Sequence, residues 1–264
     1  LCGAQHSLDA GEAGNCLPVF MRGNVVFDIH SHIIYQIDDG AKSQEESLHL
    51  IRSAVSQGAE GIFATPHYYP EAPSDPEEIR KKLDILRERC SREELRVALY
   101  EGNEVLYFES MIERLRSGEI LTLAGSHYTL IEFYPMESYQ VILRAVRKLR
   151  LAGYRPVIAH AERFKGLREH GLSEVIRMGG YIQVSTEPLS KSGFSAMMDE
   201  ETGFVRDAIR KGQVHFLGTD MHREDRRPPV LAKAIRWIET HAPEQSVDLF
   251  RGNVEKLIQD KEIV

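Results

Sequence analysis

Asp28-Ile29-His30-Ser31-His32 follows directly on Val25-Val26-Phe27, an apolar, β-branched run that reads as a buried strand. Side chains alternate between the two faces of a strand, so His30 and His32 share one face. Two imidazoles side by side at a strand end are able to chelate one metal ion, although an H-x-H pair alone is a weak signal. The rest of the chain decides what the pair means.

Working outward, the same pattern recurs. Ser43-Gln44-Glu45-Glu46 has the form of a capping box that opens a helix with an apolar stripe at Leu48, Ile51, Ala54 and Val55. Gly61-Ile62-Phe63-Ala64-Thr65 reads as a second strand running into His67. Asp75-Pro76 opens another helix, with proline at its first position. Further strands are expected over 97–100, 128–133, 156–160, 181–185 and 214–218. Between and after them come helices, among them 138–151, 202–211, 230–240 and 247–259. Seven strands alternating with helices predict a parallel α/β fold. His30/His32, His67, Glu104, Glu132, His160 and Asp220/His222 all fall at or just past expected strand ends. Convergence from so many strands suits the C-terminal face of a closed (β/α)7 barrel better than the single crevice of an open sheet.

Composition narrows the function. The chain has 264 residues, 42% hydrophobic and 28% charged, with a net charge of −7. Such a balance argues against a general nucleic-acid or acidic-membrane binder. It leaves room for an anionic substrate, because bound divalent ions invert the local field of an acidic site. No apolar run approaches the ~20 residues that span a bilayer. Three scattered cysteines without a C-x-x-C support neither a disulfide framework nor a cysteine zinc site, and point to a reducing, cytoplasmic setting. Residues 1–23, small, polar and Gly-rich, are expected to form a disordered extension, and 24–264 a single catalytic domain. Cys16 to Arg22 and Cys90 to Arg96 both satisfy C-x5-R, but neither has the small residues of a phosphate-cradling loop. The first contains Leu17-Pro18-Val19-Phe20 and the second Glu93 and Glu94, which would repel phosphate.

Asp220-Met221-His222 provides a second x-spaced pair after the last strand. With Asp38-Asp39-Gly40, His67, Glu104, Glu132 and His160-Ala161-Glu162-Arg163 it gives several imidazoles and carboxylates, a donor set suited to Mn²⁺, Fe²⁺ or Zn²⁺. Carboxylates are able to bridge two such ions ~3.5–4 Å apart, an arrangement that activates water on phosphate esters. The ordered motifs Asp28-Ile29-His30-Ser31-His32, Asp38-Asp39-Gly40, Ile131-Glu132-Phe133, Ile158-Ala159-His160-Ala161-Glu162-Arg163 and Asp220-Met221-His222 with Arg227-Pro228-Pro229 resemble the polymerase-and-histidinol-phosphatase (PHP) superfamily. They are most similar to its bacterial capsule-operon branch of manganese-dependent protein-tyrosine phosphatases.

The resemblance covers the chain from about Val25 onward. It implies a PHP-type distorted (β/α)7 barrel and three divalent ions, with Mn²⁺ favoured and Fe²⁺ or Zn²⁺ as alternatives. His30, His32, Glu104 and Asp220 would hold one ion. Glu104 would bridge to a second, shared with Glu132 and His160, and Asp39, His67 and His222 would hold the third. Arg163 and Arg227 match positions that contact phosphate, with a metal-bridging hydroxide attacking phosphorus. The implied substrate is a phosphotyrosyl protein, such as a bacterial tyrosine kinase of capsule or exopolysaccharide export.

Two other functions stay open on sequence: a phosphoesterase acting on a small histidinol-phosphate-like monoester, and a metal-binding interaction protein without catalysis. Physics alone does not separate Asp38 from Asp39 as the ligand. Asp28 is expected to orient a metal-binding histidine, and Glu162 to be structural. Tyr68-Tyr69-Pro70 after His67 is more aromatic and less basic than expected for gripping an acidic phosphopeptide.

Overall fold

The computed structural model describes residues 26–263, so the expected extension at 1–23, with Cys2 and Cys16, lies outside the described residues. Nine strands run β1 (Val26–Ser31), β2 (Ala59–Ala64), β3 (His67–Tyr68), β4 (Ala98–Glu101), β5 (Glu104–Leu106), β6 (Tyr128–Glu132), β7 (Arg155–Ile158), β8 (Tyr181–Ser185) and β9 (Phe216–Gly218). Every pairing between them is parallel. Seven of these match the expected strands, and β3 and β5 are two short ones that were not expected, each just past an expected strand. Thr65-Pro66 separates β2 from β3, where proline has no N–H to give a ladder, and Gly102-Asn103 separates β4 from β5.

The result is a three-stranded sheet, β1-β2-β4, and a six-stranded one, β3-β5-β6-β7-β8-β9. They meet where the chain returns on itself. Asp220 N–H donates to the His30 carbonyl and His32 N–H to the Met221 carbonyl, both at 2.8 Å, and Ser31 bridges Met221 in parallel. The expected barrel is therefore present in distorted form.

Strands buried on both faces read as continuous apolar runs. Phe27, Ile29, Phe63, Tyr128, Leu130, Val157, Tyr181 and Phe216 form an inner cluster, while Ile62, Ile131, Ile158, Ile182 and Leu217 pack outward against the helices. The helix Gln44–Ser56 shows what holds the outer layer. Ser43 caps it by accepting from Glu46 N–H, worth about 1 kcal/mol. Its buried Leu48, Leu50 and Ile51 contribute about 1.5–3 kcal/mol each, so packing outweighs capping. The Glu46 carboxylate returns to Lys42 N–H rather than to Ser43, a one-residue shift from the expected box. Among the described residues no helix is long and apolar enough to cross a membrane.

Candidate metal centre

Eight of the nine expected ligands gather at the C-terminal end of the barrel, in three overlapping groups whose donor atoms lie within 4.8 Å of one another: His30, His32, Glu104 and Asp220; His32, Asp39, His67 and His222; and His67, Glu104 and Glu132. The ninth, His160, stands outside these groups and meets them through Glu104. Glu104 is central. Its carboxylate lies 3.1 Å from His30 Nε2, 3.2 Å from His32 Nε2, 3.1 Å from His67 Nδ1 and 2.6 Å from His160 Nε2. His160 reaches Glu132 at 3.8 Å. Asp39 Oδ1 stands 3.7 Å from His67 Nε2 and 3.4 Å from His222 Nε2. The grouping thus differs in detail from the expected one, with His32 and His67 each shared between two groups.

Several of these atoms are buried and make no hydrogen bond: His67 Nδ1, Glu104 Oε2, Glu132 Oε1 and His160 Nδ1. Buried polar groups are ordinarily satisfied, and leaving one unpaired costs about 1–3 kcal/mol. Here His67 Nδ1 stands 3.1 Å from Glu104 Oε2 and 3.2 Å from Glu132 Oε1 without hydrogen-bond geometry, as ligand atoms do around a cation. The residues fit divalent metal.

Titration behaviour points the same way. Burial works to raise the Glu104 and Asp220 carboxyls, yet His30 beside both overrides it and holds them well below the ordinary carboxylate range, with His160 helping at Glu104 and His32 and Arg163 at Asp220. Burial lowers His67, but Glu104 and Glu132 overcome it and lift the imidazole to about 10. Burial and the neighbouring His32 push His222 down to about 4. Its ring stacks on His32 at 3.8 Å, too close for two imidazolium ions. Protons on some of these imidazoles stand where a metal's charge would, so ion binding and proton release are coupled.

Positioning residues fix this geometry. Asp38 Oδ2 lies 2.7 Å from His32 Nδ1 and accepts from His67 N–H at 2.9 Å. Burial favours its neutral form, but the His32 charge and these hydrogen bonds hold it at about 2. Asp38 therefore orients His32, while Asp39 points at His67 and His222. Gln183, which sequence reasoning missed, accepts from His160 N–H at 2.8 Å and places Oε1 3.1 Å from His30 Nδ1. The available signal was a single amide on the inward face of an apolar strand, Tyr-Ile-Gln-Val-Ser. Asp28 meets His30 through the backbone, accepting from His30 N–H at 3.3 Å, and also accepts from Thr219 N–H and Oγ1–H at 2.8 and 2.5 Å, tying β1 to the residue that follows β9. Burial lifts its pKa to about 6 despite those bonds.

The backbone also gives way to the site. A side chain at Gly218 would lie 2.6 Å from His30 Cβ, and one at Gly40 2.2 Å from the His32 carbonyl oxygen. Pairing of β1 with β2 slips between Asp28 and Ser31. His160, Asp220 and Arg227 have φ of 28°, 53° and 78°, left-handed conformations that cost non-glycine residues and cluster at functional sites.

Arg163 and Arg227 both reach Asp220 Oδ2, at 2.5 and 2.8 Å. Each guanidinium has five N–H donors, and both line a cleft of about 230 Å³ with Glu162, Ser185, Glu201 and Thr219. Glu162 Oε1 accepts from Ser185 N–H at 3.1 Å, a structural tie as expected. A second cleft, of about 270 Å³, opens beside Asp39 and His67. Cys90 is buried on the helix Pro76–Arg92, and burial lifts its thiol to about 11. It is no nucleophile.

The sequence matches the protein family described as capsular polysaccharide synthesis, CpsB/CapC, over residues 26–259. It is similar to the tyrosine-protein phosphatase CpsB of Streptococcus pneumoniae, 34% identical over 244 residues, covering 89% of this chain and 99% of that one. CpsB of Streptococcus agalactiae is 32% identical over 242 residues, with 89% and 99% covered. Among solved structures it is similar to one from the crystal structures of YwqE from Bacillus subtilis and CpsB from Streptococcus pneumoniae, described as unique metal-dependent tyrosine phosphatases. The TM-score is 0.81 at 27% identity, covering 90% of this chain and 96% of that one.

Proposed function

The chain belongs to the CpsB/CapC family of capsular polysaccharide synthesis, and from that premise we propose that it is a metal-dependent phosphatase of phosphotyrosyl protein. The observation that carries the reading is the convergence of His67 Nδ1, Glu104 Oε2 and Glu132 Oε1, buried and without hydrogen-bond partners, in one place. Three divalent ions, Mn²⁺ foremost, fit this donor set. His30, His32, Glu104 and Asp220 would hold the first. Glu104, Glu132 and His160 would hold the second, and Asp39, His67 and His222 would hold the third, with His67 also facing the Glu104 and Glu132 carboxylates. Ions bound there would supply Lewis acidity and would make water acidic enough to lose a proton near neutral pH.

The chain's own residues do the rest. Asp38 and Gln183 hold His32 and His30 in place, and misplacing such ligands costs affinity and rate. Arg163 and Arg227 each use one nitrogen on Asp220, which leaves other N–H groups to grip phosphoryl oxygens and offset the charge that develops on them. The natural substrate is a phosphotyrosyl protein of the cytoplasm, with a tyrosine kinase of polysaccharide export as the partner.

The test is hydrolysis of p-nitrophenyl phosphate and of a phosphotyrosyl peptide by the purified protein, as isolated, after chelation and after Mn²⁺ add-back. Activity lost on chelation, restored by Mn²⁺ and indifferent to Cys90→Ser supports the proposal. Turnover of small alkyl phosphomonoesters alone would replace it with a small-molecule phosphoesterase.

A further inference from the structure

The Tyr-Tyr-Pro run after His67 finds a use in the second cleft. Tyr68 is fully buried and belongs to the core, its hydroxyl donating to Glu119 at 2.5 Å. Tyr69 points the other way along the chain. Its ring stacks on His67, centroids 5.0 Å apart and planes 23° from parallel, and it lines the cleft with Ile37, Ala72 and Pro73. The same cleft includes Asp39 and His67, so an apolar, aromatic wall begins where the ligand cluster ends.

That wall is held in place. Ala72 N–H donates to the Tyr69 carbonyl at 3.1 Å and His67 N–H to Asp38 at 2.9 Å. From below, the buried Asn103 amide donates to the Pro66 carbonyl at 3.0 Å and to Ser74 Oγ at 3.2 Å. The two clefts beside the cluster therefore differ: one is lined by two guanidinium groups, while the other has no cation of that kind and sets hydrocarbon and a phenol beside Asp38, Asp39 and His67. A phosphate monoester with an aromatic alcohol needs both, a charged end for its oxygens and an aromatic wall for its ring.

We propose that Tyr69, with Ile37 and Pro73, forms the aryl-recognition wall of this site, so that the enzyme prefers aryl over alkyl phosphomonoesters through contact with the ring. The inference rests on the phosphomonoesterase reading above. Offset or edge-on ring contacts are worth about 0.5–1.5 kcal/mol, which is roughly two- to tenfold in affinity.

The experiment compares phenylphosphonate with methylphosphonate, neither of which is hydrolysed, by calorimetric titration of the Mn²⁺-loaded full chain. Wild type should bind the phenyl compound more tightly. Tyr69→Leu should reduce that preference by about two- to tenfold, and Tyr69→Phe should keep it. The ratio of kcat/KM for p-nitrophenyl phosphate over β-glycerophosphate should fall in parallel, through KM rather than kcat. A wild type without phenyl preference, or a preference that survives Tyr69→Leu, overturns the inference. A wild type that binds phenylphosphonate selectively yet hydrolyses no phosphomonoester supports the aryl wall and sinks the phosphatase reading instead.

Discussion

The two ends of the barrel use the same residue types to opposite effect. At the N-terminal end the last residues fold back across the strands. Arg155 donates to Asp260 at 2.6 Å and to Glu262 at 2.7 Å, Arg150 to Glu262 at 2.6 Å, and His127 N–H to Asp260 at 2.8 Å. The Tyr128 hydroxyl donates to the Lys261 carbonyl at 2.7 Å and Tyr181 to Glu262 at 3.0 Å. Both of these carboxylates meet cations, half in solvent, and nothing there calls for a further ion. At the C-terminal end Glu104 and Asp220 meet mainly imidazoles, deep in the barrel, with Asp39 at the rim and several ligand atoms without hydrogen-bond geometry. Closed electrostatics make a latch, and open electrostatics make a site for a cation.

The sharpest way to break this contrast is to neutralise the centre of the open end. Glu104→Gln is expected to lower metal-dependent hydrolysis by more than about 100-fold, since removing even an outer partner of a ligand costs 10- to 100-fold. Melting of the chelated protein should change far less, which circular dichroism in EDTA would check. Gln183→Leu removes no ligand but frees His30 and strands the His160 N–H. It should weaken Mn²⁺ binding about 10- to 100-fold, read by titration of chelated protein. An unchanged affinity would mean that His30 is positioned by its strand alone.

The closed end should answer in stability and not in rate. Asp260→Ala removes partly exposed ion pairs worth about 0.2–1 kcal/mol each, an expected fall in Tm of a few degrees at most, with kcat/KM on p-nitrophenyl phosphate unmoved. An effect confined to mildly acidic pH concerns His215, whose Nδ1 accepts from Ile182 N–H at 3.1 Å. Burial holds it down to about 4, below the ~6.5 of an unfolded histidine. Between these values the unfolded chain binds the extra proton, so this contribution is complete above about pH 6.5 and fades as pH falls toward 4. His215→Gln should flatten that part of the stability–pH curve measured by urea unfolding.

Much of the open end was legible because its residue types break an apolar pattern at strand ends, and the helices because their caps and stripes are local. Ser43 and Asp75 cap helices by accepting a backbone N–H, as their spacing suggested, and Ser138, expected as a first helical residue, is the cap of Tyr139–Leu151. What sequence hid is relational. Asp28 was expected to orient a neighbouring histidine; it holds His30 by the backbone N–H, while its shorter bonds go to Thr219, 191 residues away. The breaks at Pro66 and Gly102 were visible as residues, but not that a short strand follows each in a second sheet. Gln183 earned no notice beside Tyr181 and Val184 because one amide in a strand has many bland uses. The left-handed backbone at His160 and Asp220 carries no glycine to announce it.

The most direct test of the account is the melting temperature of chelated wild-type protein as Mn²⁺ is added, beside a Glu104→Gln/His67→Ala variant. An ion that binds only the folded state adds RT ln(1 + [L]/Kd), about 2.7 kcal/mol at 100 times Kd. That corresponds to a rise of roughly 5–10 °C for a domain of this size. The account predicts such a rise in wild type and little or none in the variant. A wild type whose Tm ignores Mn²⁺, or a variant that gains as much, would contradict the claim that the open end of the barrel is a metal centre.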